Sequence, residues 1–286
     1  MSVELAVTPK GPYSLALSAR FASDATRTVR DGIVTQLLSV DGRIEIARAR
    51  QAPSGAVTVT ADSAEGAERL RWLLALDDDH SPFLERVRGD AFLGRASREL
   101  RGLRPVRVAT VAQSLLRAFC GQLIEAKRAR RLEQTIIRTL CAPGTERLHV
   151  APTAAELGAL SPAQLRQLGL HARRGASLVR LCRSLDLERL RDHPTDAVIR
   201  RLERERGLGP WSLGVVCLEG LGRWDHGLVG DLGLINLLRA MRGRPVEGWE
   251  TAELLEPYGE FAGIASVYML TGFARGLLSF DAAAAA

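Results

Sequence analysis

Between two apolar helical patterns, the chain reads Arg206-Gly207-Leu208-Gly209-Pro210-Trp211-Ser212. Two glycines around one apolar residue allow the backbone to turn tightly, and the helix that follows begins with free N–H groups. Such N–H groups can bind an anion, so a turn of this kind can hold a DNA phosphate. The same sequence is also typical of a plain interhelical turn, and the stretch alone leaves both interpretations open.

Around this hairpin, the chain is predicted to be almost entirely helical from residue 81 onward. Short breaks at prolines and glycines separate the apolar periodic segments. The predicted helices are 81–88, 108–119, 122–140, 153–159, 161–168, 171–185, 195–205, 211–220, 231–241, 251–256 and 261–277.

The first 61 residues instead alternate between apolar and polar side chains, as strands do. Asp41-Gly42 is a strong signal for a β-hairpin because both residues tolerate a positive φ. Asp62 followed by Glu65 matches a capping box and predicts the start of a helix that closes the sheet. The predicted strands are Val3–Val7, Tyr13–Leu17, Gly32–Val40, Arg43–Ala49 and Val57–Thr60.

The sequence therefore predicts a mainly α protein that begins with a small α+β, strand-rich domain. Residues 1–80 form this domain, and residues 81–286 form a helical region. The terminal run of five alanines is expected to be a frayed tail.

Composition indicates a globular chain with one strongly basic segment. The 286 residues are 46% hydrophobic and carry 39 Lys and Arg against 33 Asp and Glu, a net charge of +6. Residues 101–140 hold nine basic residues against two acidic ones. Such a segment suits a polyanion such as nucleic acid. A solvated helix face explains it equally well.

Other functional classes are not indicated. No stretch approaches the roughly 20 apolar residues of a membrane helix, and Glu4 stands where a secretory signal would be basic and then apolar. We therefore expect a cytoplasmic protein with no membrane partner. The four cysteines are far apart, without a CxxC pair, so we expect small buried side chains and no metal site or disulfide.

Several motifs together resemble the helix-hairpin-helix DNA glycosylases, and among them the 3-methyladenine DNA glycosylase II branch. Gly207 to Ser212 looks like the family hairpin, and Asp231 lies 20 residues beyond Trp211, where the family has its catalytic aspartate. Three further segments are similar to family motifs and follow the family's order: Phe119–Ile124, Leu168–Arg174 and Pro257–Tyr268. The strand-rich N-terminus also fits the branch.

The resemblance implies a role for each matching residue. Asp231 would be catalytic, by stabilising an oxocarbenium-like transition state, whereas the sequence alone favours a helix N-cap. Asp225 is a competing carboxylate but lacks the family spacing. Leu123, beside Gln122, would fill the gap left by a flipped nucleotide, or would be an ordinary core leucine. The base pocket would include Trp211, Val215, Leu232, Val267 and Tyr268, and phosphates would bind Arg174, Gly207, Leu208, Gly209 and Ser212.

Trp211 also bears on the mechanism. Strand-cutting relatives have a lysine at this place, which attacks the sugar covalently. A tryptophan cannot do so, and Lys127, one of two lysines in the chain, is more simply a phosphate contact. We therefore expect a monomeric, monofunctional glycosylase in the bacterial nucleoid, without a cofactor, that acts on damaged double-stranded DNA.

Two alternatives stay open on sequence alone. Aromatic residues make up only 5% of the chain, and Val215, Leu232 and Val267 stand where the branch often has rings. The substrate could therefore be an alkylated purine recognised more by shape than by stacking, or another damaged base. The chain could also be a duplex-binding protein without catalytic activity, although an acidic Asp231 beside DNA phosphates then has no purpose.

Overall fold

The computed structural model describes residues 2–122 and 124–280, so Leu123, the predicted wedge, lies outside the described residues. The N-terminal part is a five-stranded antiparallel sheet with the order β1-β5-β4-β3-β2. Its strands are β1 (Val3–Val7), β2 (Arg27–Arg30), β3 (Ile33–Val40), β4 (Arg43–Gln51) and β5 (Val57–Ala61).

The predicted hairpin at Asp41-Gly42 is present, since both residues have positive φ, 47° and 76°, between β3 and β4. The strand predicted over Tyr13–Leu17 is wrong. Ser14 accepts a hydrogen bond from the N–H of Leu17, and this cap starts a one-turn helix, α1 (Leu15–Ser18). The sequence analysis also missed β2, a four-residue strand with arginine at both ends.

A helix, α2 (Ala64–Leu73), packs on one face of the sheet and buries Ala67, Leu70 and Leu73. Its N-cap is Ser63 rather than the predicted Asp62, because Asp62 instead accepts a hydrogen bond from Ile46 N–H in β4. The sheet and α2 together are called the N-terminal layer below. Its other face meets the helical part through Leu37, whose side chain lies against Gly144.

The remaining chain is helical, as predicted, apart from the shifted ends expected of any sequence-based assignment. Helix α4 was not predicted. The helices are α3 (Ser81–Arg86), α4 (Gly94–Glu99), α5 (Val111–Gly121), α6 (Ala126–Leu140), α7 (Ala154–Ala159), α8 (Pro162–Gln167), α9 (Ala172–Ser184), α10 (Thr195–Leu202), α11 (Pro210–Val215), α12 (Leu232–Arg242), α13 (Glu250–Leu255) and α14 (Ala262–Ala274).

These helices form two separate hydrophobic cores. The first core lies among α5 to α10, and the second among α3, α4 and α12 to α14. Helix α11 belongs to both, because Leu213 is buried in the first core and Val215 in the second. A π-helical segment, Val216–Leu221, continues α11. The hairpin helix therefore lies where the two cores meet, and the predicted fold class is confirmed.

Buried charges join the N-terminal layer to the helices. Arg117 of α5 pairs with Asp24 at 2.7 Å, with Glu133 of α6 at 3.0 Å, and with Glu219. Burial raises the pKa of Glu133. Burial also opposes ionisation of Asp24, but Arg117 and Arg27 outweigh it and lower the pKa of that carboxyl. The cluster is thus a structural link.

The basic segment 101–140 has a divided role. Arg104 is fully buried, where its guanidinium donates to the Ala75 and Pro12 carbonyls, and Arg107 and Arg117 are likewise held by internal partners. The prediction that the segment as a whole faces a polyanion is therefore wrong for these three. The solvent-exposed cations of the segment lie mainly on α6: Lys127, Arg128, Arg130, Arg131 and Arg138.

Candidate active site

The predicted hairpin connects α10 to α11 as a tight, partly exposed turn. Gly207 has a φ of +94°, which favours glycine, and a Cβ there would lie 3.1 Å from Oγ of Ser177 in α9. Leu208 anchors the turn in the first core with only 8% of its surface exposed. Gly209 and Pro210 face solvent. The backbone of the turn is thus held from beneath and open above.

Gln122, the residue that follows α5, is fastened to this hairpin. Its Nε2 donates to the carbonyl of Gly207 at 2.7 Å and to Oγ of Ser212 at 3.0 Å. Ser212 is 2% exposed, so its side chain braces the turn from within and does not face a phosphate. The predicted wedge segment therefore begins in direct contact with the hairpin, and the Gln122 amide is used as a brace.

Asp231 stands at the start of α12 with both carboxylate oxygens oriented. Its Oδ1 accepts from the N–H of Gly233 at 2.7 Å and from Leu234 at 3.3 Å, so the residue is an N-cap. Its Oδ2 accepts from Nε1 of Trp211 at 2.8 Å. The side chain is half-buried. The two interpretations offered by the sequence, cap and functional carboxylate, are compatible because capping uses one oxygen and leaves the other facing the hairpin helix.

Trp211 lies against the end of α5 as well as against Asp231. A Cβ on Gly121 would overlap Cη2 of the indole, so only glycine accommodates the ring at its present place. Trp211 is half-buried and packs beside the second core. Three elements therefore fix the carboxylate: α5 through Gly121, α11 through the indole, and α12 through its own N–H groups.

The loop before Asp231 is supported by residues that the sequence analysis missed. Gly230 has a φ of +83° and donates its N–H to Oγ1 of Thr251 at 2.7 Å. The Thr251 hydroxyl donates in turn to the carbonyl of Gly248 at 2.7 Å. A Gly at 230 directly before a capping aspartate was the available signal, since it indicates a left-handed residue that needs a fixed turn.

The predicted base pocket is only partly assembled. Tyr268 is fully buried, and its hydroxyl donates to the carbonyls of Leu100 and Leu103, so it is a core residue. Val215 is also in the second core, 4% exposed. Leu232, next to Asp231, is 59% exposed, and Val267 is half-buried. Of the five residues, Trp211 and Leu232 are those that neighbour the carboxylate.

Basic residues surround the hairpin. Arg174 lies in the first turn of α9, the helix whose Ser177 supports Gly207, and Arg173 and Arg206 are exposed nearby in sequence. The guanidinium of Arg180 donates to the carbonyl of Arg206 at 3.3 Å. The surface around the turn is therefore positive, which suits the anionic backbone of DNA.

In residues 2–122 and 124–280, neither a metal-binding cluster nor a membrane-spanning helix is present. No group of three or more His, Cys, Asp or Glu side chains is arranged to hold a metal ion there. No helix in the same ranges has the length and apolar character needed to span a membrane.

Comparisons with known proteins agree on one fold. No protein-family model matches the chain. A curated DNA-3-methyladenine glycosylase of Bacillus subtilis is 24% identical over 205 residues, which are 68% of this chain and 67% of the relative. The 3-methyladenine DNA glycosylase of Archaeoglobus fulgidus superposes with a TM-score of 0.82 at 18% identity, covering 94% of this chain and 97% of the other.

A second solved structure is also similar along almost its whole length. The 8-oxoguanine glycosylase/lyase of Clostridium acetobutylicum, in complex with double-stranded DNA, gives a TM-score of 0.77 at 14% identity, over 96% of this chain and 98% of the other. Sheet, helices and hairpin therefore follow a shared architecture. The chain therefore has the fold of these DNA glycosylases and is similar to them over most of its length.

Proposed function

We propose that this chain is a monofunctional DNA glycosylase that hydrolyses the N-glycosidic bond of an alkylated purine in duplex DNA. The observation that carries the proposal is the carboxylate of Asp231, which is half-buried, held at both oxygens and directed toward the hairpin helix by the Trp211 indole. A plain cap has no need of the second hydrogen bond.

The reaction suits a fixed carboxylate. Cleavage of the N-glycosidic bond develops positive charge on the sugar, and a preorganised negative group beside that charge lowers the barrier. Because Trp211 and the N–H groups of Gly233 and Leu234 already orient the Asp231 carboxylate, little reorganisation is needed when the charge appears. Oδ2 accepts one hydrogen bond, from the Trp211 indole, so it keeps a lone pair that can orient the attacking water.

DNA binding would use the hairpin and the segment that follows α5. The exposed backbone at Gly207 and Gly209 can approach a phosphate closely, and Arg174 adds positive charge. Leu208 contributes indirectly, because its burial in the first core holds the turn. The base must leave the stack before it can be cut, and Leu123, directly after the braced Gln122, is proposed to fill the gap.

The monofunctional mechanism rests on Trp211. By the resemblance, Trp211 stands where strand-cutting relatives have a lysine that attacks the sugar, and an indole cannot form a Schiff base. The two lysines of the chain lie elsewhere: Lys10 follows β1 in the N-terminal layer, and Lys127 is exposed on α6.

The preference for an alkylated purine is supported by the name of the Bacillus subtilis relative and by the A. fulgidus neighbour. Alkylated purines carry positive charge and stack favourably on aromatic rings. Trp211 is the ring placed beside the carboxylate, whereas Tyr268 is committed to the core. With one ring, recognition would depend more on shape and on the exposed side chain of Leu232 than on stacking.

A base-release assay tests the proposal. A duplex with a single alkylated purine is incubated with the protein and then treated with alkali, which cuts the strand only where a base has been lost. We expect cleavage for the alkylated substrate and none for the matched undamaged duplex. Release of only oxidised or deaminated bases would overturn the substrate, and binding without release of any base would identify a duplex-binding protein that is not an enzyme.

A further inference from the structure

One loop of the N-terminal layer carries exposed side chains suited to a nucleic acid. After α1, Arg20 is exposed and Phe21 is 66% exposed, the most exposed large apolar side chain among the described residues. The guanidinium of Arg20 lies over the Phe21 ring, 5.3 Å from its centroid. A cation held over an aromatic face is restrained, so the Arg20 charge is held beside the exposed Phe21 ring.

This loop is rigidly joined to the helical part. Arg130 of α6 donates from Nη1 to the carbonyl of Phe21 at 2.8 Å. Three residues further, Asp24 accepts from the N–H groups of Thr26 and Arg27 and pairs with Arg117 of α5. Arg20 and Phe21 are therefore fixed on the surface of α6 and do not form a free tip.

The face of α6 to which the loop is joined is positive. Arg130 and Arg131 lie three and four residues after Lys127, so both share one side of the helix with it. In the described part of the chain, none of them pairs with an acidic residue, and neither does Arg20. Cations without an acidic partner, on a helix whose one acidic residue, Glu133, is buried, favour a partner with negative charge.

The position of this face relative to the hairpin favours duplex DNA as the partner. Helix α6 begins four residues after Gln122, which is bonded to the hairpin, and Arg130 lies about 6 Å along the axis from Ala126. A duplex presents one phosphate charge about every 1.7 Å of its axis. A duplex that is seated on the hairpin and runs along α6 would bring its phosphates within reach of the loop.

We propose that the Arg20-Phe21 loop of the N-terminal layer binds the backbone of the duplex that flanks the lesion, as one surface with Lys127, Arg130 and Arg131. The proposal rests on the proposed function, because it assumes that DNA binds at the hairpin. Arg20 contacts a phosphate, and Phe21 holds its guanidinium in place. The N-terminal layer is then part of the DNA interface as well as a support for the helices.

The test measures binding to an undamaged duplex of about 20 base pairs, two helical turns, across a range of salt concentrations. We expect Arg20→Ala to raise Kd several-fold and to reduce the slope of log K against log salt by about one. Phe21→Ala should raise Kd by less, and Phe21→Tyr, which keeps the ring, should restore wild-type binding. Arg43→Ala is the matched control: it removes an exposed arginine of the same layer, at the β3–β4 turn, and should change neither quantity.

Arg20→Ala binding that equals wild type in affinity and salt slope would overturn the proposal, as would an equal loss in Arg43→Ala. Base release by the wild-type protein is measured on the same preparations. If the wild-type protein releases the base but Arg20→Ala binds DNA as the wild type does, only the proposed surface is rejected. If the wild-type protein releases no base but Arg20→Ala lowers the slope of log K against log salt, the proposed enzyme is rejected and the DNA-binding surface stands. Thermal melts of all variants confirm that binding is compared between folded proteins.

Discussion

The indole Nε1 of Trp211 and Oδ2 of Asp231 are 2.8 Å apart, so the hairpin helix and the helix that carries the carboxylate are joined by one hydrogen bond. The bond joins residues that are 20 positions apart in sequence. Because the indole N–H lies in the plane of the ring, the carboxylate does not cover the ring face. Whatever moves the hairpin on DNA therefore also moves Asp231. In the proposed enzyme this couples phosphate binding to placement of the catalytic group.

Replacement of Asp231 by Asn should nearly abolish base release while DNA binding is retained. Asn caps a helix as well as Asp does, so α12 remains formed, but the negative charge beside the developing cation is lost. The rate of a single turnover should fall by about 10²-fold or more. Asp225→Asn, which removes an exposed carboxylate six residues earlier, is the control. Release by Asp231→Asn at the wild-type rate would eliminate Asp231 as the catalytic carboxylate.

Trp211→Phe tests the hydrogen bond without removing the ring. We expect single-turnover release to slow by about tenfold, equivalent to roughly 1.4 kcal/mol, because the carboxylate loses one of its orienting contacts. DNA affinity should change little. Trp224→Phe, a half-buried tryptophan of the second core, serves as the matched variant and should leave the rate unchanged. If both variants slow release equally, the effect belongs to packing rather than to the hydrogen bond.

The two glycines of the hairpin should respond differently to alanine. Gly207→Ala places a side chain at a φ of +94° and close to Ser177, so we expect a loss of about 1–2 kcal/mol in the free energy of unfolding. Gly209 has an ordinary φ of −99°, and a methyl group added there would meet open space. The free energy of unfolding of Gly209→Ala should therefore be close to that of the wild type. Chemical denaturation measures both, and equal stabilities would contradict the strained turn.

The proposed monofunctional mechanism can be checked in a trapping experiment. Borohydride added during turnover reduces a Schiff base to a permanent protein–DNA adduct. We expect no adduct, and a product strand that stays intact until alkali is added. A trapped adduct that disappears in Lys127→Ala would show a lyase with an unusual nucleophile and would reject the monofunctional mechanism.

Acid should destabilise the fold through His80. Burial, with Arg104 beside the ring, lowers the pKa of His80 to about 4. Because the unfolded chain takes up a proton at about pH 6.5 and the folded chain does not, stability falls as the pH drops through that window. The loss between about pH 7 and pH 5 is expected to be roughly 2 kcal/mol. His80→Gln should show a smaller loss over the same range in denaturant titrations, and an equal loss would exclude His80 as its source.

The fold was largely predictable because its signals are local. Alternation of apolar residues, the Asp41-Gly42 turn and the helical periodicity beyond residue 81 each depend on near neighbours in sequence. The failures have distant causes. Tyr13–Leu17 has strand character, but Ser14 caps a helix there and the segment is held by Gln51 and Gly102. Local pattern cannot report contacts across such distances.

The site was predictable only in part for the same reason. Spacing along the chain identified the hairpin and Asp231, which resemblance linked to chemistry. It did not show that Gln122 would brace the hairpin or that Ser212 would be turned inward. Tyr268 was assigned to the pocket by register, yet two backbone carbonyls with no sequence signal draw its hydroxyl into the core.

Gly121 has a consequence for how the chain can change over evolutionary time. Any side chain there displaces the Trp211 indole, and with it the hydrogen bond to Asp231, although Gly121 itself carries no functional group. Residues 121 and 211 are therefore free to vary only as a pair, with a larger side chain at one and a smaller one at the other. Among related sequences, a side chain at position 121 should accompany a residue other than tryptophan at position 211, and with it a different way of holding the carboxylate.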